Sequence, residues 1–401
     1  MSGPAFEVFA TTPTSMQLTW RRLGPGPVRL GCGSRSVTVE GDGGPGAVTF
    51  DGLSPDTAHP ITVDGRPAGR ATTLPTPPGR ELFRFATISD LHLGETRFGY
   101  FGTMRERPQP LVPYSIRATR AALDEIVAWG AQLVVVKGDC THDSRIDEWA
   151  TFGSLMADSG LPFEAMPGNH DNRPLDRQRS RLGRVVHLAQ GGLVKRVLNG
   201  PARPSGRAVS PIDGFRSIGY EPPQPVLTRD VDGLRIALID TTRIGKHLGT
   251  VAVGADAVLD AAADARRDGR GMFVAGHHYP MPRSIPHFWP PGMPANDVGS
   301  FFTRLAGANP AAFYTAGHTH RHRRYDRAGV CCTEVGSPKD YPGTWAGYLV
   351  YESGITQIVW RVAAPDVIPW TEHSRRAAFG LWGRWSPGQR SHRCFHHPWP
   401  T

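Results

Sequence analysis

Hydrophobic and polar positions change their spacing once along this chain, near residue 80. Before that point short apolar runs, "FEVFA", "MQLTW", "VRLGC", "SVTVE", "AVTF", "ITV" and "ATTL", are separated by Gly and Pro, which predicts a small β-sandwich. The stretch "TLPTPPGR" then reads as a stiff linker. Beyond it the apolar strands "LFRFATIS", "AQLVVV", "LPFEAM", "LRIALI", "GMFVA" and "AAFYTA" alternate with helical stretches. In "YSIRATRAALDEIVAWG" the residues Ile116, Leu123, Ile126 and Val127 share one helix face and Gly130 is a stop, and "ADAVLDAAADARRDG" repeats the design up to Gly269. Strands alternating with helices predict an α/β domain around largely parallel or mixed sheets, with functional groups at the strands' carboxyl ends. The expected units are residues 1–79, 80–362 and a tail, 363–401.

Composition changes the picture little. At 401 residues the chain exceeds one ordinary core, and its formal charge of +9 favours anionic partners without choosing among nucleotides, nucleic acid and phospholipid. The start "MSGPAFEVFATTP" lacks the features of a secretory signal and no stretch is long enough to span a bilayer, so a cytoplasmic protein is expected. Five cysteines without CxxC spacing read as small buried hydrophobes rather than a disulfide framework or thiolate zinc site. The tail is rich in Arg, His and Trp and has no clear period. It reads as an extended segment whose aromatics pack on the body; a lid or an anionic-surface contact is the sharper reading.

The chemistry lies at the strand ends. "SDLH" (Asp90, His92), "KGDC" (Asp139), "PGNHD" (Asn169, His170, Asp171), "AGHHYP" (His277, His278) and "AGHTH" (His318, His320) each follow an apolar strand. Any one of them alone reads as a turn or as surface histidines; together they read as one site. Carboxylates, an amide oxygen and imidazoles suit divalent ions such as Mn, Fe or Zn. Two such ions about 4 Å apart can bind a phosphoryl oxygen, activate water and neutralise charge during an in-line displacement.

This ordered set resembles the calcineurin-like metallophosphoesterases across about residues 80 to 362. The resemblance implies a four-layer αββα fold of two mixed sheets with flanking helices and a dinuclear centre. By match to the family's motifs, Asp90, His92 and His320 stand as ligands of one metal and Asn169, His277 and His318 of the other, with Asp139 bridging. His170 resembles the family's catalytic histidine, with Asp171 holding its imidazole. "GNHD" with "GHHYP" is most similar to class III cyclic-nucleotide phosphodiesterases and their glycerophosphodiesterase relatives. Purple acid phosphatases share a fibronectin-like front domain, but their iron-binding Tyr is replaced here by His142, so no purple ferric centre is expected. Trp20 and "GLSPDTAHPITV" resemble a fibronectin type III module, with His59 where that pattern has Tyr.

Substrate contacts are expected from segments the motifs do not fix. Candidates are Arg97, Arg105 and Arg107, His278, and Arg243 with Lys246 and His247; Phe288 and Trp289 would form an apolar wall. The leading expectation is a hydrolase of small phosphodiesters, cyclic nucleotides included, with phosphomonoesters as secondary substrates. The alternatives are a DNA nuclease of the same superfamily, which the positive charge and "DLHLG" suggest, and a binding or scaffold protein with a vestigial metal site.

Overall fold

Seven short strands open the chain: β1 Phe6–Thr11, β2 Ser15–Trp20, β3 Gly26–Cys32, β4 Arg35–Gly41, β5 Gly46–Asp51, β6 Ala58–Val63 and β7 Arg66–Thr72. The computed structural model describes residues 6–99, 102–173, 207–282 and 290–400. The strands form two antiparallel sheets, ordered β1-β2-β5 and β4-β3-β6-β7. Met16, Leu18, Trp20, Leu30, Phe50 and Ile61 fill the core between them. The last strand begins earlier than the expected "ATTL" because Asp64 and Gly65 both take positive φ and close a two-residue hairpin. Most of β7 is exposed, so no apolar alternation marks it in the sequence. At the start of β6, His59 is buried and its Nε2 donates to the Ser54 carbonyl at 3.0 Å.

The remainder builds two six-stranded mixed sheets. In chain order its elements begin with β8 Glu81–Ile88, α1 Tyr114–Ala128, β9 Val134–Lys137, α2 Ile146–Ser159, β10 Phe163–Met166, α3 Pro211–Ser217, β11 Val226–Val231 and β12 Leu234–Ile239. They continue with α4 Ala255–Arg267, β13 Gly271–Gly276, α5 Ala295–Ala308, β14 Ala312–Ala316, β15 Arg323–Arg327, β16 Val330–Glu334, β17 Thr344–Tyr351 and β18 Gly354–Arg361. Three short helices, α6 Ile368–Ser374, α7 Trp382–Trp385 and α8 Arg390–Arg393, precede the last strand, β19 Cys394–Pro398. The first sheet runs β10-β9-β8-β17-β18-β19 and the second β11-β12-β13-β14-β16-β15.

Phe85, Val135 and Met166 of the first sheet pack against Ile236, Phe273 and Phe313 of the second. Outside the first sheet, α1 and α2 contribute Leu123, Ile126, Trp149 and Phe152; outside the second, α4 and α5 contribute Val258, Leu259, Phe301 and Phe302. This is the expected helix-sheet-sheet-helix arrangement. Strands covered on both faces need no alternation, which is why "VVVK" and "GMFVAG" are buried throughout. The same effect hides β17 and β18, whose long buried runs carry no period.

The segment after residue 362 does more than lie on the body: β19 pairs antiparallel with β18 and extends the first sheet. Arg393, 2 % exposed, donates from Nε to the Phe9 carbonyl at 3.1 Å and from Nη2 to Glu7 at 2.9 Å, joining this segment to the front sandwich. Gln17 and Arg361 exchange two further hydrogen bonds across the same junction. All five cysteines are buried and unpaired. No described helix is long and apolar enough to cross a membrane.

Glu125 on α1 accepts from Trp345 Nε1 at 2.8 Å and from the Ala363 amide at 2.6 Å, yet its burial outweighs these donors and pushes its pKa up to about 7. The folded state therefore holds a proton that the unfolded chain has lost, and stability falls as pH rises from about 4.5 to about 7. Denaturant titrations at pH 5 and pH 7.5 should show this loss, smaller in Glu125→Gln by on the order of 2 kcal/mol.

Candidate metal centre

Each motif stands directly beyond the carboxyl end of a strand: Asp90 after β8, Asp139 after β9, Asn169 and His170 after β10, His277 after β13, and His318 and His320 after β14. The loops lock onto one another through the backbone. Asp90 N donates to Gly138 O at 3.0 Å, His92 N to Asp139 O at 2.9 Å, and Gly317 N to His277 O at 3.1 Å. Two glycines make this approach possible. A Cβ on Gly168 would lie 2.2 Å from the Asp139 amide, and one on Gly317 would lie 2.6 Å from an Asp90 carboxylate oxygen.

Backbone conformation marks the same residues. Asp90, His92, Asp139, His318 and His320 all adopt positive φ, between 45° and 67°. Side chains with a Cβ rarely take this left-handed region, and such residues persist where the surroundings over-determine them, commonly at functional sites.

The side chains converge. One ligand atom from each of Asp90, His92 and His320 lies within 4.8 Å of the others, and the same holds for Asp90, Asp139 and His277, and for His277, His278 and His318. Asp139 Oδ2 is 3.4 Å from both His92 Nε2 and His277 Nε2, and Asp90 Oδ1 is 3.3 Å from His320 Nε2. Asn169 Oδ1 is 3.2 Å from His277 Nε2. Asp139 thus lies between the two histidine groups. The donor set fits divalent ions on its own chemistry: oxygen and imidazole ligands, with both ring nitrogens of buried His92 lacking a hydrogen-bond partner.

Second contacts orient these imidazoles, a pattern usual for metal-ligating histidines. His277 Nδ1 donates to the Lys137 carbonyl at 2.8 Å, His318 Nε2 to the Pro291 carbonyl at 3.1 Å, and His320 Nδ1 to Asp340 Oδ2 at 2.5 Å. Asp340 was not legible as a site residue, since "SPKD" carries no motif and only the fold brings it beneath His320. Behind it Lys339 Nζ contacts Glu95 at 2.6 Å, and Glu95 accepts from the Tyr114 hydroxyl at 2.9 Å.

The expected partnership of His170 with Asp171 is not the one found. Asp171 spends both oxygens on the Cys140, Thr141 and Gly168 amides and the Thr141 hydroxyl, at 2.6 to 3.0 Å. It braces the loops after β9 and β10 because four donors already surround its buried carboxylate. His170 Nδ1 instead lies 3.0 Å from the His142 carbonyl and 2.6 Å from Arg173 Nη2. These compete for one nitrogen; with Arg173 donating, the neutral ring carries its proton on Nε2. The His170 amide also donates to Asp139 Oδ1 at 2.7 Å.

Other expected contacts divide. His278 is fully buried beside His318, with Nδ1 2.8 Å from Thr241 Oγ1 and Nε2 without a partner. His247 Nδ1 is 3.2 Å from Asn169 Nδ2. Arg243 is paired with Asp297 at 2.9 Å. Arg97 is half-buried on the loop after the first motif, and Phe288 and Trp289 lie outside the described residues.

The charge on these groups is finely divided. Burial pushes the His277 imidazolium down, but Asp139 and Asp90 hold its pKa up at about 9. Burial likewise opposes His320, which Asp340 and Asp90 raise to about 10. Asp90 is itself held down at about 2, its burial outweighed by His320 and His277. Burial lowers His318 to about 3, and it also takes His92, His170 and His278 well below the usual histidine range. Without metal, two carboxylates therefore face two imidazolium ions.

The sequence model of the family described as calcineurin-like phosphoesterase matches residues 83–322. No curated protein is similar enough in sequence to count as a relative. Among solved structures, a purple acid phosphatase from yellow lupin (Lupinus luteus) seeds is similar at 13 % identity and TM-score 0.46, over 90 % of this chain and 72 % of that one. A dimetal phosphatase from Danio rerio is similar at 15 % identity and TM-score 0.48, over 71 % of this chain and 97 % of that one.

Metal loading of the apoprotein at pH 7.5 should release about two protons, one each from His277 and His320, because imidazole must be neutral to ligate. Affinity should accordingly rise with pH until about 9 to 10, where both have already deprotonated. Calorimetry in buffers of different ionisation enthalpy measures the proton count; a count of zero would contradict this charge assignment.

Proposed function

The chain belongs to the calcineurin-like phosphoesterase family, and from that premise we propose that it is a metal-dependent hydrolase of small phosphodiesters, cyclic nucleotides among them, with phosphomonoesters as secondary substrates. One observation carries the reading: five strand-end motifs, far apart in sequence, meet in overlapping donor groups linked through Asp90, His92 and His277. In this assignment Asp90, His92 and His320 hold one divalent ion, Asn169, His277 and His318 hold the other, and Asp139 bridges them. When bound, such ions supply Lewis-acid neutralisation of the phosphoryl oxygens and lower the pKa of water.

The chain's own groups favour the diester. His170 and His278 are held neutral, and Arg173 and Arg243 on the flanking loops are each paired with a carboxylate, Asp143 and Asp297. Neutral imidazoles with compensated guanidiniums nearby suit the single charge of a phosphodiester better than the double charge of a monoester. His170, with its proton on Nε2, can donate to the departing oxygen, and Arg173 selects that tautomer. His278 Nε2 is a further donor for a phosphoryl oxygen.

The domain assignment is part of the proposal: residues 1–79 as a fibronectin type III-like sandwich with its linker, 80–362 as the catalytic unit, and 363–401 as a C-terminal extension. Support for the first comes from the three-plus-four-stranded order and from His59, whose hydrogen bond back to Ser54 reproduces the tether a corner Tyr makes in such sandwiches.

Metal-reconstituted protein, with Mn, Fe or Zn, should hydrolyse bis-p-nitrophenyl phosphate and cyclic AMP faster than p-nitrophenyl phosphate or linear DNA. Activity confined to DNA would make the nuclease reading the better one, and activity confined to the monoester would overturn the diester assignment. Asp139→Asn should reduce metal-dependent turnover to background. His170→Ala should slow diesters with alkoxide leaving groups roughly 10²–10⁴-fold while aryl esters lose far less, since only the former need a proton. Equal losses on both would remove the acid role from His170.

A further inference from the structure

We propose that the face formed by the 102–113 loop and the 375–390 segment is a docking surface for an anionic phospholipid bilayer. Two apolar tips project from it. At the first, Ala378, Phe379 and Gly380 take positive φ in succession, at 50°, 55° and 84°, and Phe379 is completely exposed at 107 %. Leu381 and Trp385 beside it are 39 % and 52 % exposed. At the second tip Leu111 is 103 % exposed and Val112 39 %. A phenylalanine held in left-handed backbone and turned wholly to water is unfavourable on both counts unless an apolar phase receives the ring.

Both tips are rooted in one buried cluster, so they form one surface. Phe98, Tyr114, Trp370 and Ala377 pack together with Met104 and Trp382 against them. Tyr114, two residues after Val112, stacks on Trp370 at 4.1 Å. Trp382, between Leu381 and Trp385, lies 6.2 Å from the His320 ring, which puts this surface beside the metal centre.

Charge identifies the occupant. Arg105 and Arg107 precede one tip in the chain, while Arg376 and Arg384 flank Phe379 in the chain, and all four are exposed. The nearby acids are already committed: Glu106 and Asp366 to Arg117, and Glu372 to Arg361. From His373 to Thr401 there is no Asp or Glu at all. Exposed apolar side chains with exposed arginines near them in the chain match a bilayer's acyl boundary and its anionic headgroups. Single-stranded nucleic acid would instead call for stacking rings along a groove, whereas Leu111, Val112 and Leu381 are aliphatic and protrude.

The test is sedimentation of the full-length protein with large unilamellar vesicles of phosphatidylcholine, with and without phosphatidylglycerol. Binding should require phosphatidylglycerol and weaken with salt. The double variant Leu111→Asp with Phe379→Asp should bind at least tenfold more weakly at unchanged thermal stability, both side chains being fully exposed. In the unmodified protein, brominated phosphatidylglycerol should quench tryptophan fluorescence, less so in Trp385→Phe. Equal binding to both vesicle types, unchanged binding by the double variant, or saturable binding of single-stranded DNA with none to vesicles would overturn the proposal. So would a dimer in sedimentation velocity that Phe379→Asp dissolves while vesicle binding is absent.

Discussion

Two carboxylates, Asp90 and Asp139, are buried close together at the ends of adjacent strands, and the rest of the site answers to that fact. Like charges removed from water demand compensation nearby. Here it comes from His277 and His320, from the His318 and His170 amides, and from the Ser89 hydroxyl. The compensation is exchangeable, since two protons on imidazole occupy the electrostatic role that divalent ions take when bound. A site that could hold cations is thereby assembled with its donor groups already turned inward.

Bringing the carboxylates together costs backbone freedom, and the fold around them absorbs it. Positive φ at Asp90, His92, Asp139, His318 and His320 is sustained by interlocked loop amides, by close approaches at Gly168 and Gly317, and by Asp171, which gathers amides from two loops. Lys137 contributes from below, its fully buried amino group donating to Thr315 and the Ala316 carbonyl across the interface between the sheets. The strand ends that present the ligands are thus held by hydrogen bonds between sheets as well as by apolar packing.

The C-terminal extension belongs to this support. Trp370 donates to the Lys339 carbonyl at 2.7 Å, next to the Asp340 that orients His320, and the Trp382 ring lies 6.2 Å from the His320 ring. β19 then closes the sheet edge, and Arg393 ties it to the front sandwich. A change in the extension is therefore positioned to reach the metal centre through packing and orientation.

Sequence alone was sufficient for the alternation of strands and helices and for placing candidate groups at strand ends, because strand-end motifs are local: Asp90, Asp139, Asn169, His277 and His318 each follow an apolar run that predicts where the strand stops, while the two-sheet body followed from the family resemblance. It was also sufficient to expect five buried, unpaired cysteines. The tertiary structure alone decided which partner each group takes. Asp171 lies beside His170 in the chain, but its carboxylate accepts from the amides of two loops, and His170 Nδ1 takes Arg173 as its donor instead. Asp340, twenty residues beyond His320, becomes its partner through the fold. β17 and β18 escape the sequence pattern because burial on both faces erases alternation, and β19 because an aperiodic segment becomes a strand only when a sheet edge offers its hydrogen bonds. Adjacency in sequence sets which residues share a loop; side-chain pairing depends on direction and distance in space, which only the packed sheets determine.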